Sequence, residues 1–410
     1  MKFVTLTESE YRKFWQTFPE KCFLSAPGIG GLHDGATVYY LGVKENGKVV
    51  AAAMVRGVRR HFGKYDFYAP RGVLVDFNNP RLAKFFLTHL RDFLRAHGGY
   101  VFHMDPNVEL VERDIDGHIV EGGRDNHDVV ALLDSLGFVK SRYVEGVSQV
   151  TWEFVLPTKG RTRDEIYEQM GTNARRRLRQ ALDLGMDVKD LKKDEIGSFY
   201  EVLKGTAARK DFLTRDFAYF EKMYDLFAST GGVEFVSITL NPAKTLTKLR
   251  HDLAAEERRI PKSPEDKRMH INGIKYFKNR IKRLEQLFPD SDDRDIVLSS
   301  GMFMTIKPEI LHFLGGNVGE YLNLDAQYVL QWEMIGRTID RGYDRYNFYG
   351  IPANIDKHPA GYGIYAFKRG FSGHVVELIG EYELPLSPVY YITKFLTNTK
   401  SALRRLLGRG

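Results

Sequence analysis

Apolar positions along this chain change between a two-residue spacing and a three- to four-residue spacing, and each spacing predicts a different element. Val297 to Ile306 is a β-type run, and a second apolar run, Ile310 to Leu314, stops at a pair of glycines. Ala326 to Thr338 has helical spacing, and Tyr343 to Tyr349 is again typical of a strand. The apolar positions of the helix are Val329, Trp332, Ile335 and Ile339. This order of strand, strand, helix and strand predicts a mixed α/β core.

The N-terminal part of the chain shows the same alternation. Its predicted elements are, in order, helix Glu8 to Phe18, strands Thr37 to Val43, Lys48 to Arg56 and Val73 to Asp76, helix Pro80 to His97, and strand Tyr100 to Asp105. Asn46 and Gly47 separate two of these strands and predict a hairpin turn. A helix, a glycine and an aromatic strand follow one another around Gly98 and again around Gly342, an order consistent with two related domains.

A segment of different composition, residues 243–292, interrupts the second core. Apolar residues at three- and four-residue steps run through its two halves: Leu246, Leu249, Leu253 and Ile260, then Ile274, Phe277, Ile281, Leu284 and Phe288. Pro261 and Pro264 separate the halves, which predicts an antiparallel helical hairpin of the coiled-coil type. Its outward face is rich in lysine and arginine. We favour a solvated arm, and an arm that contacts tRNA is the alternative.

Length and composition bound the class of protein. A chain of 410 residues predicts two domains, and 43% hydrophobic and 28% charged residues are typical of soluble globular proteins. The net charge of +7 favours a polyanionic partner such as nucleic acid, anionic lipid or pyrophosphate. The single cysteine, Cys22, excludes an internal disulfide framework, and the N-terminal residues lack the apolar core of a signal peptide. We therefore expect a cytoplasmic protein.

A basic helix is the first candidate binding element. Thr162 and Glu165 form a capping box, apolar residues follow at helical spacing, and Gly185 ends the predicted helix. Four arginines crowd its last two turns: Arg175, Arg176, Arg177 and Arg179. The helix dipole favours cations there without any ligand. Because four arginines within five positions repel one another, contact with phosphates of tRNA or of a lipid headgroup is an equal alternative.

Several strings in the second core resemble one protein family. They are Gly315-Gly316, Gln331-Trp332-Glu333-Met334, Asp344-Arg345-Tyr346-Asn347-Phe348-Tyr349-Gly350 and Phe367-Lys368-Arg369-Gly370-Phe371. Over nearly its whole length the chain resembles the Fem family (FemABX), aminoacyltransferases that build peptidoglycan cross-bridges from charged tRNA. The resemblance implies an α/β (α+β) fold of two acetyltransferase-like (GNAT-type) domains with mixed sheets. We expect the first domain at 1–150, with 380–410 returning to it, and the second at 151–379.

The resemblance also implies the reaction and its partners. An aminoacyl group would pass from aminoacyl-tRNA to the stem-peptide amine of a peptidoglycan precursor, UDP-MurNAc-pentapeptide or lipid II, without a metal or organic cofactor. We expect a monomer. The tail from Val389 onward alternates apolar and basic residues, so it either lies on the inner face of the membrane or packs on the first domain. The alternative functions are a non-catalytic tRNA- or membrane-binding protein of this fold, and a GNAT-like N-acyltransferase that acts on another amine.

Two catalytic candidates follow from the same resemblance. Similarity to the family's Phe-Lys pair assigns Phe367 and Lys368 to the tRNA acceptor end or to the tetrahedral oxyanion, which a fixed cation would stabilise. Composition alone would leave Lys368 as a surface lysine lying over aromatic side chains. Asp105, at the end of a strand, is implied to lie near the acceptor amine and to aid its deprotonation. Capping the next turn is its alternative role.

The candidate substrate ligands come partly from spacing and partly from the family. Arg215 and Tyr219 are four residues apart on one predicted helix face, and the resemblance assigns them to the UDP-muramyl peptide. The plain alternative for Arg215 is compensation by Asp216. We expect the acceptor cleft between the domains to be lined by Arg71, Asp105, Arg215, Tyr219, Tyr349 and Gly350. Relatives tend to carry a tyrosine before the glycine pair, whereas this chain has His312 in that stretch.

Overall fold

The computed structural model describes residues 1–32, 35–142, 148–290, 293–353, 355 and 359–396. The chain divides into two compact units. The first unit comprises Met1–Phe154, Gly350–Gly361 and His374–Gly410, and the second comprises Val155–Tyr349 and Tyr362–Gly373.

Strands and helices alternate along the whole chain. Up to Pro157 the elements are β1 (Lys2–Thr5), α1 (Glu8–Thr17), β2 (Thr37–Glu45), β3 (Lys48–Arg59), β4 (Tyr65–Ala69), α2 (Pro80–Ala96), β5 (Gly99–Met104), β6 (Glu109–Glu112), α3 (His127–Ser135), β7 (Val139–Lys140) and β8 (Trp152–Pro157). The elements from there to Leu287 are α4 (Arg163–Gln169), α5 (Thr172–Leu182), β9 (Asp187–Asp190), α6 (Ile196–Lys210), α7 (Phe217–Phe227), β10 (Val233–Leu240), α8 (Pro242–Arg258) and α9 (Pro264–Leu287). The remaining elements are β11 (Ile296–Ile306), β12 (Glu309–Asn317), α10 (Ala326–Asp340), β13 (Arg345–Gly350), α11 (Pro359–Arg369), β14 (His374–Leu378) and β15 (Tyr382–Pro385).

The first unit contains a mixed sheet in the strand order β1-β2-β3-β4-β5-β15-β7. Only the β4–β5 neighbours in this order are parallel, within the described residues. The hairpin predicted between β2 and β3 is confirmed, since Asn46 and Gly47 both have positive φ and Glu45 pairs with Lys48. Helix α2 adds Phe86 and Leu90 to the core that covers this sheet.

The second unit is also built on a mixed sheet, with its strands in the order β13-β12-β11-β10-β9. β12 and β13 are parallel, and the other neighbours are antiparallel. Helices α6 and α10 pack on this sheet. The predicted succession of strand, strand, helix and strand is confirmed by β11, β12, α10 and β13, and so is the mixed α/β fold class. No helix among the described residues is both long enough and apolar enough to cross a membrane.

Helices α8 and α9 pack against each other and form a helical arm between β10 and β11. Arg250 of α8 pairs with Glu285 of α9 at 2.7 Å, and Glu257 pairs with Lys278 at 2.8 Å, so the two helices are antiparallel. Apolar side chains are buried where the arm joins the sheet and become exposed towards its turn. Leu246, Leu249 and Leu284 are buried, whereas Ile260 and Met269 are exposed.

The structure corrects two local expectations and describes the first part of the tail. The basic helix is not continuous: α4 ends at Gln169 and α5 begins at Thr172, because the chain bends at Met170 and Gly171, whose N–H donates to the Gly370 carbonyl at 2.9 Å. Val73 to Asp76 is not a strand, since only Leu74 makes an isolated bridge to Ala52. The tail is helical over 389–396, and the remainder of the predicted tail, 397–410, lies outside the described residues.

The glycine pair does not end β12, which continues through Gly315 and Gly316 to Asn317. A Cβ on Gly316 would lie 2.3 Å from Thr206 Oγ1 and 3.0 Å from the Val202 carbonyl oxygen, both on α6. The lack of a side chain therefore lets α6 approach β12. Thr206 Oγ1 uses this proximity to accept the N–H of Asn317 at 3.1 Å.

Candidate functional site

In the first unit, a buried carboxyl group lies at the end of β5. Asp105 follows the last residue of that strand and is 2% exposed. Its Oδ1 accepts two hydrogen bonds of 2.9 Å, one from the Tyr68 hydroxyl and one from the N–H of Arg71. Its Oδ2 is 3.5 Å from Arg71 Nη1. The predicted turn-capping role is thus replaced by contacts with β4 and the segment that follows it.

Burial raises the pKa of Asp105 to about 6, although the Arg71 guanidinium and the hydrogen bonds to Oδ1 act in the opposite direction. Arg71 compensates the carboxylate only partly because it is shared: its Nη2 donates to Glu153 at 3.0 Å and to the Val150 carbonyl at 2.6 Å. A carboxyl with this pKa is mostly ionised at neutral pH yet still a usable proton acceptor. Burial likewise keeps the pKa of Tyr68 well above its ordinary value.

Arg71 was expected to line the acceptor cleft, and the structure places its side chain beside Asp105. Its side chain is 1% exposed, and its guanidinium lies among Asp105, Glu153 and a main-chain carbonyl. Arg71 thus contacts Asp105 through both its main chain and its side chain. Its backbone has φ 45°, in the left-handed region, which aims its N–H at the carboxylate.

In the second unit, Lys368 is held in the last turn of α11. The residue is 9% exposed, and its ammonium donates to the Tyr349 carbonyl at the end of β13, 3.1 Å away. The interpretation as a surface lysine is therefore wrong, because the cation is desolvated and fixed. Tyr349 has φ 63°, and its own N–H donates to Asn347 Oδ1 at 2.7 Å. Gly350, the next residue, falls in the first unit.

An aromatic cluster fixes the end of α11. The Phe367 ring meets Tyr328 edge-on at 4.9 Å and Phe371 at 5.4 Å. Phe371 is fully buried and also packs against Phe348 of β13 at 5.2 Å. Phe367 and Phe371 thus anchor the helix that carries Lys368.

His312 lies on β12, before the glycine pair. Its ring stacks on Phe303 with 4.8 Å between centroids, and its Nδ1 is 3.2 Å from the Gln331 amide. Gln331 in turn accepts the Tyr346 hydroxyl at 2.7 Å. Burial, reinforced by the positive charge of Lys368, lowers the pKa of His312 to about 3. The imidazole is therefore neutral at physiological pH.

Arg215 and Tyr219 are brought together, but not on one helix face. Helix α7 starts after Asp216, which caps it by accepting the Tyr219 N–H at 3.0 Å. Arg215 precedes the helix, is exposed, and lies over the Tyr219 ring at 5.7 Å. The carboxylate of Asp216 thus caps the N-terminus of α7. Arg215 lies on the surface as a cation beside an aromatic ring.

The four arginines of α5 divide into two groups. Arg175 pairs with Glu168 at 2.9 Å, and Arg179 is exposed. Arg176 and Arg177 line a cavity of about 320 Å³ together with Arg280 and Arg283 of α9. Sequence reasoning missed Arg280 and Arg283. Their three-residue spacing on one face of α9 was visible, but the packing of that face beside α5 was not.

Known proteins resemble this chain along its whole length. A model of the FemAB family matches residues 6–398. Aminoacyltransferase FemB of Staphylococcus epidermidis is 28% identical over 423 residues, covering 99% of this chain and 100% of that protein. Aminoacyltransferase FemA of Staphylococcus aureus (strain bovine RF122 / ET3-1) is 26% identical over 424 residues, covering 98% of this chain and 100% of that protein.

Two solved structures match in fold. FemX superposes with a TM-score of 0.75 at 24% identity and covers 96% of this chain and 99% of its own. A tandem GNAT protein from the clavulanic acid biosynthesis pathway superposes with a TM-score of 0.50 at 12% identity and covers 94% and 99%. The expected GNAT-like fold is therefore confirmed. Fold and relatives together place the chain among the aminoacyltransferases. The chain belongs to the FemAB family.

Proposed function

We propose that this enzyme transfers an aminoacyl group from aminoacyl-tRNA to the stem-peptide amine of a peptidoglycan precursor, either UDP-MurNAc-pentapeptide or lipid II. The product is an amide that forms part of an interpeptide bridge. The proposal rests on the relatives named aminoacyltransferase and on one structural observation, the desolvated ammonium of Lys368 at the end of α11.

Lys368 is assigned to the developing oxyanion. The acceptor amine attacks the ester carbonyl carbon, a C–N bond forms, and negative charge collects on the carbonyl oxygen. A cation that is already desolvated and fixed stabilises this charge without reorganisation at the moment of reaction. The hydrogen bond from Lys368 to the Tyr349 carbonyl and the aromatic anchoring of Phe367 supply that preorganisation.

Asp105 is assigned to proton transfer. The attacking nitrogen becomes positively charged as the C–N bond forms, and the Asp105 carboxylate takes one proton from it. Collapse of the intermediate re-forms the C=O bond and breaks the bond between the carbonyl carbon and the ribose oxygen. The ribose oxygen takes the proton back from the Asp105 carboxyl, so it leaves as a hydroxyl and the carboxylate is regenerated. A pKa of about 6 suits this role, since the carboxylate is mostly ionised at neutral pH but still basic.

Arg215 and Tyr219 are assigned to the acceptor. Arg215 is exposed and beside an aromatic ring, an arrangement that suits an anionic group carried by a larger ligand. The pyrophosphate of the muramyl precursor is the group that we propose for it. Arg71 serves the site indirectly, by holding Asp105.

The test is transfer by the purified full chain. The protein is incubated with a mixture of charged tRNAs and UDP-MurNAc-pentapeptide, and the precursor is then weighed by mass spectrometry. We expect a mass increase of one aminoacyl residue. Lys368→Met should lower the transfer rate by about 10²- to 10³-fold, as removal of an oxyanion donor does. The matched control is Arg369→Met, which removes the exposed cation next in the chain.

Two outcomes would contradict the proposal. Tight tRNA binding without any labelled precursor would favour a binding protein, and acylation of a different amine would favour another N-acyltransferase. Unchanged transfer by a folded Lys368→Met variant would remove the assignment of the oxyanion to this residue while leaving the reaction in place.

A further inference from the structure

The second unit contains an arginine-lined cavity that the proposed chemistry does not use. It measures about 320 Å³ and lies among α5, α9 and the segment Asn323–Asp325. Small-molecule sites begin at about this size, roughly 300 Å³. Its charged lining consists of four arginines, Arg176, Arg177, Arg280 and Arg283, and one carboxylate, Asp325. Four positive charges against one negative charge leave a surplus that an anionic ligand would neutralise.

The hydrogen bonds of these arginines leave donors for a ligand. Arg177 pairs with Asp325 at 2.8 Å. The other guanidinium groups, as far as the structure describes the chain, contact only neutral atoms: Arg176 contacts Asn173 and Gln180, Arg280 contacts Tyr276 and the Gln180 carbonyl, and Arg283 contacts the Asn323 carbonyl. A guanidinium has five N–H donors, and Arg283 uses one of them here.

The arginine contacts also show that the cavity is built rather than incidental. Arg280 reaches from the helical arm to α5 at 2.6 Å, and Arg283 reaches from the arm to Asn323 at 3.2 Å. Arg280 Nε is buried and has no hydrogen-bond partner among the described residues. The base is apolar, with Ala181, Leu184, Leu284 and Leu324 buried, so charges in the cavity are less screened than on an open surface.

The position of the cavity links it to the donor. Asp325 immediately precedes α10, and Tyr328, three residues later, packs edge-on against Phe367 beside Lys368. The cavity therefore adjoins the aromatic cluster that holds the end of α11. Planar guanidinium groups match the oxygens of a phosphate better than any other side chain does.

We propose that this cavity binds a phosphate of the tRNA backbone near the aminoacylated end, so that α5 and the arm position the donor ester. The inference rests on the proposed function, since it takes the donor to be a polynucleotide. The same phosphate chemistry is present in the pyrophosphate of the muramyl precursor, and the test separates the two sources.

The test measures binding without turnover. Dissociation constants of the full chain for deacylated tRNA are measured by fluorescence anisotropy over a series of KCl concentrations, and those for UDP-MurNAc-pentapeptide in parallel. Arg283→Gln should weaken tRNA binding about tenfold, the loss of one charge-assisted contact. It should also lower the slope of log affinity against log salt by about 1. Arg268→Gln, an exposed arginine of the same helix outside the cavity, is the matched control and should change the affinity by less than about twofold.

Arg280→Gln is the second variant, checked for folding by circular dichroism because Arg280 also ties the arm to α5. Loss of tRNA affinity with a reduced salt slope and unchanged precursor binding supports the proposal. A loss of affinity for the precursor alone would still indicate a phosphate site but would contradict its assignment to tRNA. Unchanged affinity for both tRNA and the precursor would contradict the proposal that the cavity binds a phosphate. Deacylated tRNA binds without reacting, so the binding measurement does not depend on turnover. Failure of transfer in the wild-type protein would therefore refute the proposed function, and the tRNA affinities could still be interpreted.

Discussion

The buried carboxyl of Asp105 should make the stability of the protein depend on pH, and Asp105→Asn should remove that dependence. Asparagine keeps the volume and still offers an oxygen to the N–H of Arg71 and the hydroxyl of Tyr68. It also places an N–H₂ group 3.5 Å from a guanidinium nitrogen, which costs stability. That cost is the same at every pH, so the change in pH dependence isolates the carboxyl.

The direction and size follow from linkage. The pKa of Asp105 is about 6 in the folded protein against an ordinary value of 3.8, so the folded state binds the proton more tightly than the unfolded state does. The stabilisation is fully present below pH 3.8 and is lost as the pH rises through 6. The full difference of 2.2 pKa units corresponds to about 3 kcal/mol, and about 2 kcal/mol of it falls between roughly pH 4.5 and 7.5.

The assay is urea unfolding of the parent and of Asp105→Asn across that pH range. At each pH, the free energy of unfolding of the parent is subtracted from that of the variant. We expect the difference to change by about 2 kcal/mol in favour of the variant as the pH rises from 4.5 to 7.5. Asp92→Asn on α2, whose carboxylate is exposed, should give a flat difference. A flat difference for Asp105→Asn as well would refute the reasoning, because Arg71 would then compensate the carboxylate completely.

Two further predictions concern the second unit. His312, whose pKa is lowered to about 3 by burial and by Lys368, should not titrate above about pH 4 in ¹⁵N NMR of the ring, and Lys368→Met should raise its pKa. A midpoint near 6.5 in the parent would show that the ring is hydrated. Gly316→Ala should lower the free energy of unfolding by about 1 to 3 kcal/mol, because the new Cβ would lie 2.3 Å from Thr206 Oγ1. Gly205→Ala on α6, which has open space around the added Cβ, should instead leave stability unchanged or raise it, and a Gly316→Ala variant as stable as the parent would contradict the packing argument.

Much of the fold could be predicted because local chemistry determines it. The β2–β3 hairpin follows from Asn46 and Gly47, which tolerate the positive φ that the turn requires. The order of β11, β12, α10 and β13 follows from the period of the apolar residues. The errors occurred where tertiary contacts outweigh local preference. The glycine pair suggested a stop, but these residues stay in β12 because α6 needs the space.

The residues of the candidate site could be predicted from the sequence, but their burial and their contacts could not. Resemblance pointed to Lys368 and Asp105, but no sequence period shows that both are at least nine-tenths buried. Arg71 was expected to line the acceptor cleft, and nothing in the sequence shows that its side chain is 1% exposed. Its burial depends on Glu153, which is 82 residues away in sequence. Contacts at such separations are set by the sheet, so a single sequence does not reveal them.

Asp105 and Lys368 are both buried titratable groups, and each makes a hydrogen bond to a main-chain atom. Asp105 accepts the N–H of Arg71, and the ammonium of Lys368 donates to the carbonyl of Tyr349. Both supporting residues are non-glycine residues in the left-handed region, with φ 45° and 63°. Such conformations cost roughly 1 to 3 kcal/mol each and persist only where surrounding structure enforces them. A main-chain N–H or carbonyl held in this way cannot reorient, whereas a side-chain partner can change its rotamer. The backbone therefore fixes the carboxylate of Asp105 within the first unit and, separately, the ammonium of Lys368 within the second.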